Sequence, residues 1–507
     1  GGFGDLNEVH RMETFDMDAT NGFLDSKWYH LYCSVQRCNS ALRVLNAATD
    51  EQVNGRVSRI AEMKVLRAHY YFELSRLFNK IPYFDENVEI SQYPDIPNNE
   101  FTRDEILSML AKEMLDAAEQ LPASQPEVGR IHKYIALAYA AKIKLYQAYQ
   151  QDEITHAVTS INKELLREVV SLCDQVTASN RYGLLDDFQG LDLVTNENGK
   201  ESVFAIQYSM NDGTESAGRI NWSNLLNSPG GGSPYGGDGF FLPSQDLINA
   251  YQTDANGLPD FNYQSKSDYS WAVLNNGVYT LQNTTPNVDP RLDFVVGRPT
   301  ITWKTYPDKP CEGWVRDKDT YGYNCAKRFW VSPESSDMFN GWPWGASQLN
   351  WQIIRYADIL LWKAEALIEL NEGNGLETAR DLINQIRNRA RNSAYVKDFN
   401  DHSKYAANYL VNPYPADVWN QDYARQALRW ETRLEKALEG ERFFDLVRWG
   451  IVETTMNKYI TAESDNRIYY ANAHFTGGKD EYYPVPNNQY GFSGGKYVQN
   501  PGYAPFN

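Results

Sequence analysis

Two blocks of helical periodicity, separated by a long stretch without it, constrain the fold of this chain most. Apolar residues recur every three to four positions over residues 28–177 and again over 355–450. The stretch between them lacks this pattern, yet it holds eight of the thirteen tryptophans, from Trp222 to Trp351. Tryptophan in an irregular segment is costly unless it packs or meets a ligand. We therefore interpret the stretch at about 182–350 as an aromatic-rich insertion on a helical scaffold.

The helical segments come in pairs along the chain. The first two are predicted at 28–46 and 55–80, and Pro82 ends the second because its ring cannot continue a helix. Thr102 and Glu105 form a capping-box pattern that begins another helix. The other helices are predicted at 102–120, from 130, at 161–176, from 355, at 376–391 and at 423–450. Helix hairpins repeating in this way indicate either a tetratricopeptide-like stack or a plain helical bundle.

Three further expectations concern the segments around these pairs. The first 25 residues are rich in Asp and Asn and are predicted to be loop, and residues 451–507 are predicted to be a loop-rich tail. The helix that begins at Arg355 is expected to pack beside the helix at 161–176. In the last helix the apolar face changes side at Gly440, which predicts a break or bend there.

The composition excludes some classes of function. The net charge of -18 and the pI of about 4.9 argue against nucleic-acid binding, which needs clustered Lys and Arg. No apolar run reaches the ~18 residues of a transmembrane helix. The 34 tyrosines and 13 tryptophans are typical of extracellular proteins that handle carbohydrates. The acidity is then more consistent with solubility or a neutral ligand.

The five cysteines predict no metal site. Cys33 and Cys38 lie on different faces of one predicted helix and are not expected to pair. Cys311 and Cys325 flank a loop rich in Gly, Tyr and Trp, expected at the surface near the ligand, and their spacing is compatible both with a disulfide bridge and with two thiols. Neither pair has the CxxC spacing of a thiol-zinc site.

Several distinctive sequence blocks follow one another along most of the chain. Two of them are EMKVLRAHYYF at 62–72 and EGERFFDL at 439–446. The other blocks are 27–39, 76–82, 129–146, 257–259, 289–292, 355–366, 431–433, 448–450, 483–486 and 500–503. Together, and in this order, the blocks resemble the SusD/RagB family of outer-membrane nutrient-binding lipoproteins.

The resemblance implies a fold and a function. It implies one domain over 1–507, mostly α, with four tetratricopeptide-like helix pairs and an irregular ligand-binding region. It implies non-catalytic binding of a glycan at the cell surface and its delivery to a SusC-like TonB-dependent outer-membrane transporter. It also implies a lipid anchor, which we expect upstream of Gly1 as the only membrane attachment. No cofactor is implied.

We find no convincing catalytic constellation in the sequence. The seven histidines show neither HExxH spacing nor a cluster with cysteine, and no pair of carboxylates stands out as a glycosidase dyad. The glycine-rich segment 228–237 lacks the Lys-Ser/Thr and the strand–helix context of a phosphate loop, so we interpret it as a flexible surface loop.

The candidate ligand-binding residues are aromatic. We expect most aromatic rings of the insertion to fill its own core and the remainder to stack on sugar rings. Trp342 and Trp344 are the leading candidates, because two tryptophans and Pro343 cannot all be buried in a short loop bounded by Gly341 and Gly345. The other candidates are Trp271, Trp303, Trp314, Tyr321 and Tyr323.

Two alternatives to a glycan-binding protein remain at this point. One is a surface glycoside hydrolase. The other is a tetratricopeptide-type module that binds a peptide. Turnover of a glycan would favour the first, and capture of a peptide the second.

Overall fold

The structure is a computed structural model. It describes residues 4, 6–214, 218–224, 227, 229–230, 232–304, 313–342 and 344–506, apart from the side chain of residue 319. These residues form two compact units. The central unit contains 182–442 and 458–471. The N-terminal unit contains the described residues up to 181 together with 443–457 and 472–506.

Helices account for most of the regular structure in the described residues. The α-helices are α1 (Asn7–Glu13), α2 (Gly22–Ala47), α3 (Arg56–Phe78), α4 (Arg103–Gln120), α5 (Lys133–Ala148), α6 (Lys163–Ala178), α7 (Gln245–Ala250), α8 (Arg291–Val295), α9 (Lys318–Tyr321), α10 (Tyr356–Leu370), α11 (Gly375–Asn392), α12 (Gln421–Glu435), α13 (Arg442–Arg448), α14 (Val452–Glu463) and α15 (Asn487–Phe492). Short 3₁₀ helices span Ile90–Asp95, Phe188–Asp192, Val194–Asn196, Tyr263–Ser265 and Ile468–Asn472. The predicted mostly helical class is confirmed.

The strands are short and pair two by two. They are β1 (Tyr149–Gln151), β2 (Val158–Ile161), β3 (Ser202–Ile206), β4 (Gln252–Thr253), β5 (Trp271–Asn275), β6 (Val278–Gln282), β7 (Asn287–Val288), β8 (Val296–Gly297), β9 (Cys325–Ala326) and β10 (Trp351–Arg355). Within the described part of the chain the pairs are all antiparallel: β1 with β2, β3 with β10, β4 with β7, β5 with β6, and β8 with β9.

In the N-terminal unit, successive helices from α2 to α6 pack on one another. Their starts follow from local capping. Thr102 and Glu105 form the predicted capping box of α4, and Asn162 accepts from two backbone amides at the start of α6. The prediction that the first 25 residues are loop was wrong, since α1 lies there and α2 begins at Gly22 under an Asn21 cap.

In the central unit, α10, α11 and α12 pack together. α6 packs on α5 within the N-terminal unit, and the expected pairing of α10 with α6 stays a prediction. The predicted break at Gly440 is confirmed: this residue has a left-handed φ of 79° and separates α12 from α13. The division into a scaffold and an insertion stays a prediction.

A buried network of charges ties the irregular part of the central unit to its helices. Glu435 is fully buried and receives the guanidinium groups of Arg291 at 3.2 Å, Arg355 at 3.0 Å and Arg389 at 2.5 Å. Glu201, which precedes β3, pairs with Arg355 at 2.8 Å. Each buried charge is therefore matched by opposite charges and hydrogen bonds, without which its burial would be very costly.

Two apolar cores lie in the central unit. The larger surrounds α8, with Tyr251, Leu292 and Val295 completely buried. The second, which we call the tryptophan core, contains Tyr235, Trp303, Trp314, Val315, Tyr321, Cys325 and Trp330. None of the helices in the described part of the chain combines the length and apolar character that a bilayer crossing requires.

Candidate functional site

The structure separates the seven predicted ligand-binding residues by exposure. Trp342, Trp344 and Trp271 present 61%, 52% and 44% of their surface to solvent. Trp303, Trp314 and Tyr321 are buried in the tryptophan core. Tyr323 is half-buried, with its ring 5.7 Å from that of Tyr279.

The buried candidates are packing residues in this structure. The Trp303 indole has no exposed surface and donates to the hydroxyl of Tyr235 at 2.8 Å, and its ring centroid lies 5.0 Å from that of Trp314. Trp303 and Trp314 thus fill the core of the irregular region in this structure. Their role as ligand contacts stays a prediction.

Trp342 and Trp344 are carried by a short hairpin at 337–348, the aromatic hairpin. Its two arms are joined by backbone hydrogen bonds from Gln348 to Asp337 at 3.1 Å and from Phe339 to Ala346 at 2.8 Å. Pro343, between the two tryptophans, lies outside the described residues. The hairpin projects both indoles from a hydrogen-bonded base.

The tryptophan core and the glycine-rich segment support the aromatic hairpin. Gly345 lies against the Trp330 ring, so closely that there is no room for a Cβ, and a Cβ on Gly236 would lie 2.9 Å from that of Trp344. Tyr235 is 1% exposed and donates to the Val331 carbonyl at 2.7 Å. The interpretation of this segment as a flexible loop missed that Tyr235 anchors it in the core.

Trp222 is a neighbour of this site that the sequence analysis did not select. It is 43% exposed and follows Asn221, whose backbone amide donates to the Ser347 carbonyl at 2.9 Å. The antiparallel bridge between Asn221 and Ser347 brings the segment of Trp222 beside the aromatic hairpin. We call Trp222, Trp342 and Trp344 the aromatic cluster.

The segments that form the aromatic cluster carry no charge. Residues 220–237 and 338–354 contain no Asp, Glu, Lys, Arg or His, although 22% of the chain is charged. The polar groups of these segments are amides, hydroxyls and the backbone. This shared lack of charge is the sequence signal that would have linked Trp222 to Trp342 and Trp344.

Two carboxylates accept hydrogen bonds at the base of the aromatic hairpin. Glu197 accepts from the Asn350 backbone amide at 2.6 Å, and Asp337 accepts from the Gln348 side chain at 2.6 Å. Burial raises the pKa of Glu197 to about 7, and the nearby charge of Asp337 acts in the same direction. Glu197 is thus partly protonated at neutral pH, which limits the negative charge next to the cluster.

The remaining chemical candidates are a metal site and a Cys311–Cys325 disulfide bridge. Among the described residues, no group of three or more His, Cys, Asp or Glu side chains is arranged to hold a metal ion. Cys325 is buried beside the Gly297 carbonyl. Cys311 lies outside the described residues, so the bridge between them stays a prediction.

Comparison with known families identifies the kind of protein. Residues 200–503 match the sequence model of the SusD family. The chain belongs to the SusD family. Residues 5–145 also match a second SusD-like model, described as starch-binding and associating with the outer membrane. The two matches include residues of both compact units, and the family resemblance in the sequence is confirmed.

Individual SusD relatives are distant in sequence and similar in fold. A SusD-like protein P2 of Formosa agariphila is 24% identical over 498 residues, covering 97% of this chain and 83% of the relative. A SusD superfamily structure from Bacteroides vulgatus has a TM-score of 0.71 at 21% identity, covering 98% of this chain and 90% of that one. A laminarin-binding SusD-like protein has a TM-score of 0.63 at 21% identity, covering 99% and 91%.

Proposed function

We propose that this protein binds a neutral glycan non-catalytically through its aromatic cluster. The observation that carries the proposal is the exposure of Trp342 and Trp344, at 61% and 52%, within the uncharged segment 338–354. An exposed indole offers a flat apolar face that matches the C–H face of a sugar ring. The amides and hydroxyls of the same segments then suit the sugar hydroxyls.

The family supports a glycan as ligand. One SusD-like protein of the same fold is described as laminarin-binding, and the model that matches residues 5–145 is described as starch-binding. Laminarin and starch are both neutral polysaccharides. The lack of charge in segments 220–237 and 338–354 agrees with a ligand of that kind and disfavours sulfated or uronic-acid polymers.

The affinity should be modest. Sugar hydroxyls exchange hydrogen bonds with water for hydrogen bonds with protein, so each contributes only about 0.5–1.5 kcal/mol. Stacking on one or two indoles then contributes most of the binding free energy. We expect dissociation constants in the micromolar to millimolar range, about -8 to -4 kcal/mol, with little dependence on salt because no charge pair forms.

We also infer the setting of this binding. The description of a matching SusD-like model as associating with the outer membrane supports a position at the cell surface, held by a lipid anchor. There it would deliver the glycan to a SusC-like TonB-dependent transporter. Co-purification from the native membrane tests this partner separately from the ligand, and recovery of the chain without any such transporter would contradict it.

A glycan array tests the proposed ligand class. The expected result is binding to one or more neutral polysaccharides, laminarin and starch among those presented, and none to sulfated or uronic-acid polymers. Binding only to anionic glycans would contradict the proposal. A peptide pull-down that succeeds where the array fails would favour the peptide-binding module.

Chromatography of the bound glycan after long incubation tests the absence of catalysis. Glu197, whose pKa is raised to about 7, lies near the charge of Asp337 and is the carboxylate to substitute in this test. Unchanged chain length is the expected result. Shorter products that disappear in Glu197→Gln would show a glycoside hydrolase instead.

A further inference from the structure

The β5–β6 hairpin carries an exposed tryptophan that is not part of the aromatic cluster. Its strands pair antiparallel, with Trp271 opposite Gln282 and Leu274 opposite Tyr279. Trp271 is 44% exposed and Val278 is 62% exposed. This hairpin, which we call the ribbon, therefore presents apolar surface to solvent.

The two faces of the ribbon differ. Leu281 and Tyr279 lie on the inner face, where Leu281 packs on the core around α8 and Tyr279 meets the Tyr323 ring at 5.7 Å. Side chains alternate along a strand, so Trp271, Gln282 and Thr280 share the opposite, outer face. The Gln282 amide donates to the Thr280 hydroxyl at 3.1 Å. The outer face thus combines an indole with an amide and a hydroxyl.

The ribbon is also free of charge. Residues 269–288 contain no Asp, Glu, Lys, Arg or His. A surface segment of that length ordinarily carries about four or more charged residues. Exposed strands in particular are normally protected by charged side chains, because an uncharged edge invites association. The lack of charge here is the same property that distinguishes residues 220–237 and 338–354, which form the aromatic cluster.

The ribbon and the aromatic cluster rest on different cores. Met338 of the aromatic hairpin packs on the tryptophan core, and Gly345 lies on Trp330. The ribbon packs through Leu281 on the core around α8. The hairpin that carries Trp271 therefore packs on a different apolar core from the hairpin that carries Trp342 and Trp344.

We propose that the outer face of the ribbon, with Trp271, Thr280 and Gln282, is a second binding site for the same neutral polysaccharide. This inference rests on the proposed function of the aromatic cluster. A polymer that occupies both sites gains from effective concentration, whereas an oligosaccharide engages them independently. The second site therefore raises affinity for long chains and leaves the main site for short chains unchanged.

The test compares a polymer with an oligosaccharide. Retardation in native gels containing laminarin, soluble starch or galactomannan measures polymer affinity. Calorimetry with the hexasaccharide of the retarding polymer measures the main site. Trp271→Ala is expected to weaken polymer binding roughly fivefold or more, and to shift the hexasaccharide dissociation constant less than about twofold. Gln282→Ala should weaken polymer binding in the same direction.

Leu274→Ala is the matched control. Leu274 is 43% exposed on the same ribbon but on its inner side, so its loss should leave polymer retardation unchanged. Thermal melting of each variant checks that the ribbon remains folded.

Three outcomes overturn the second site alone, and a fourth overturns the proposed function with it. If folded Trp271→Ala is retarded by the polymer as strongly as the wild-type protein, the ribbon is not a binding site. If the substitution weakens polymer binding and hexasaccharide binding equally, Trp271 belongs to the same site as the aromatic cluster. A wild-type dimer that Trp271→Ala dissociates in ultracentrifugation makes the ribbon a protein interface. If the wild-type protein is retarded by none of the three polymers and binds no neutral glycan on the array, the proposed function fails together with the second site.

Discussion

Gly236 lies directly against the side chain of Trp344. A Cβ built on Gly236 would be 2.9 Å from Cβ and 3.1 Å from Cγ of Trp344, and Gly236 has a φ of +71°, which favours glycine. The Trp344 side chain thus packs against the backbone of Gly236 rather than against another side chain. The orientation of the platform depends on the absence of a side chain at this position.

Gly236→Ala should therefore weaken glycan binding. The added methyl group must displace Trp344, and we expect a loss of affinity of about threefold to tenfold, or roughly 0.7–1.4 kcal/mol. Calorimetry with the most tightly bound glycan from the array measures this loss of affinity. Gly373→Ala is the control, since Gly373 also has a left-handed φ but no atom within 4 Å of its Cβ position. Equal effects of the two substitutions on affinity would contradict a role for the contact.

Buried and exposed tryptophans should respond differently to truncation. Trp303→Ala removes a fully buried indole and its hydrogen bond to Tyr235, so the free energy of unfolding should fall by about 3–5 kcal/mol. Trp342→Ala removes a ring that is 61% exposed and should change that free energy far less. Denaturant titration of both variants compares them. Similar losses would mean that Trp342 is also a core residue.

Glu197 predicts a specific dependence of stability on pH. Its pKa is raised from 4.5 to about 7, first by burial and then by Asp337, so the folded state holds a proton that the unfolded state releases. The contribution is fully present below about pH 4.5 and is lost as the pH rises to about 7. Because the side chain is only half-buried, solvent screening limits it to roughly 1 kcal/mol.

The comparison with Glu197→Gln isolates this effect. Burial lowers the pKa of His69, His132 and His156 to about 4, which gives a stability change of opposite sign between about pH 4 and 6.5. Those histidines are present in both proteins and cancel in the difference. The wild-type protein should lose stability relative to Glu197→Gln between pH 4.5 and 7. A constant difference over this range would contradict the raised pKa.

Replacing Glu435 should lower the stability of the protein more than replacing most other carboxylates. Burial opposes its ionisation, but the charges of Arg389, Arg355 and Arg291 outweigh burial and lower its pKa to about 2. Glu435→Gln leaves these guanidinium groups short of a buried partner and should cost about 3–5 kcal/mol of stability. Asp186→Asn, which removes the exposed pair with Lys200, is the control and should change stability little. Equal effects would contradict the network.

The helices could be predicted because their signals are local. The Thr102 capping box, the apolar periodicity of α3 and the change of face at Gly440 each depend on residues within a few turns of one another. The partners of the buried network could not be predicted in this way. Arg355 meets Glu201 and Glu435 from 154 and 80 residues away, and no local pattern encodes such a pairing.

The site was only partly predictable for a related reason. Composition identifies tryptophans that must pack or bind, but exposure is decided by contacts between distant segments. The buried indole of Trp303 donates its N–H to the hydroxyl of Tyr235, which lies 68 residues away in the sequence. Trp222 joins the aromatic cluster because Asn221 bonds to Ser347. Gly341 and Gly345, in contrast, indicated locally that Trp342 and Trp344 would remain exposed.

The most direct test of the account is calorimetric titration of the double variant Trp342→Ala, Trp344→Ala with the neutral glycan bound by the wild-type protein. Stacking on these exposed indoles is expected to dominate binding, so the variant should bind at least about tenfold more weakly, a loss of about 1.4 kcal/mol. Its melting temperature should stay close to that of the wild-type protein. Unchanged affinity, or weakened affinity accompanied by a large fall in melting temperature, would contradict the aromatic cluster as the glycan-binding site.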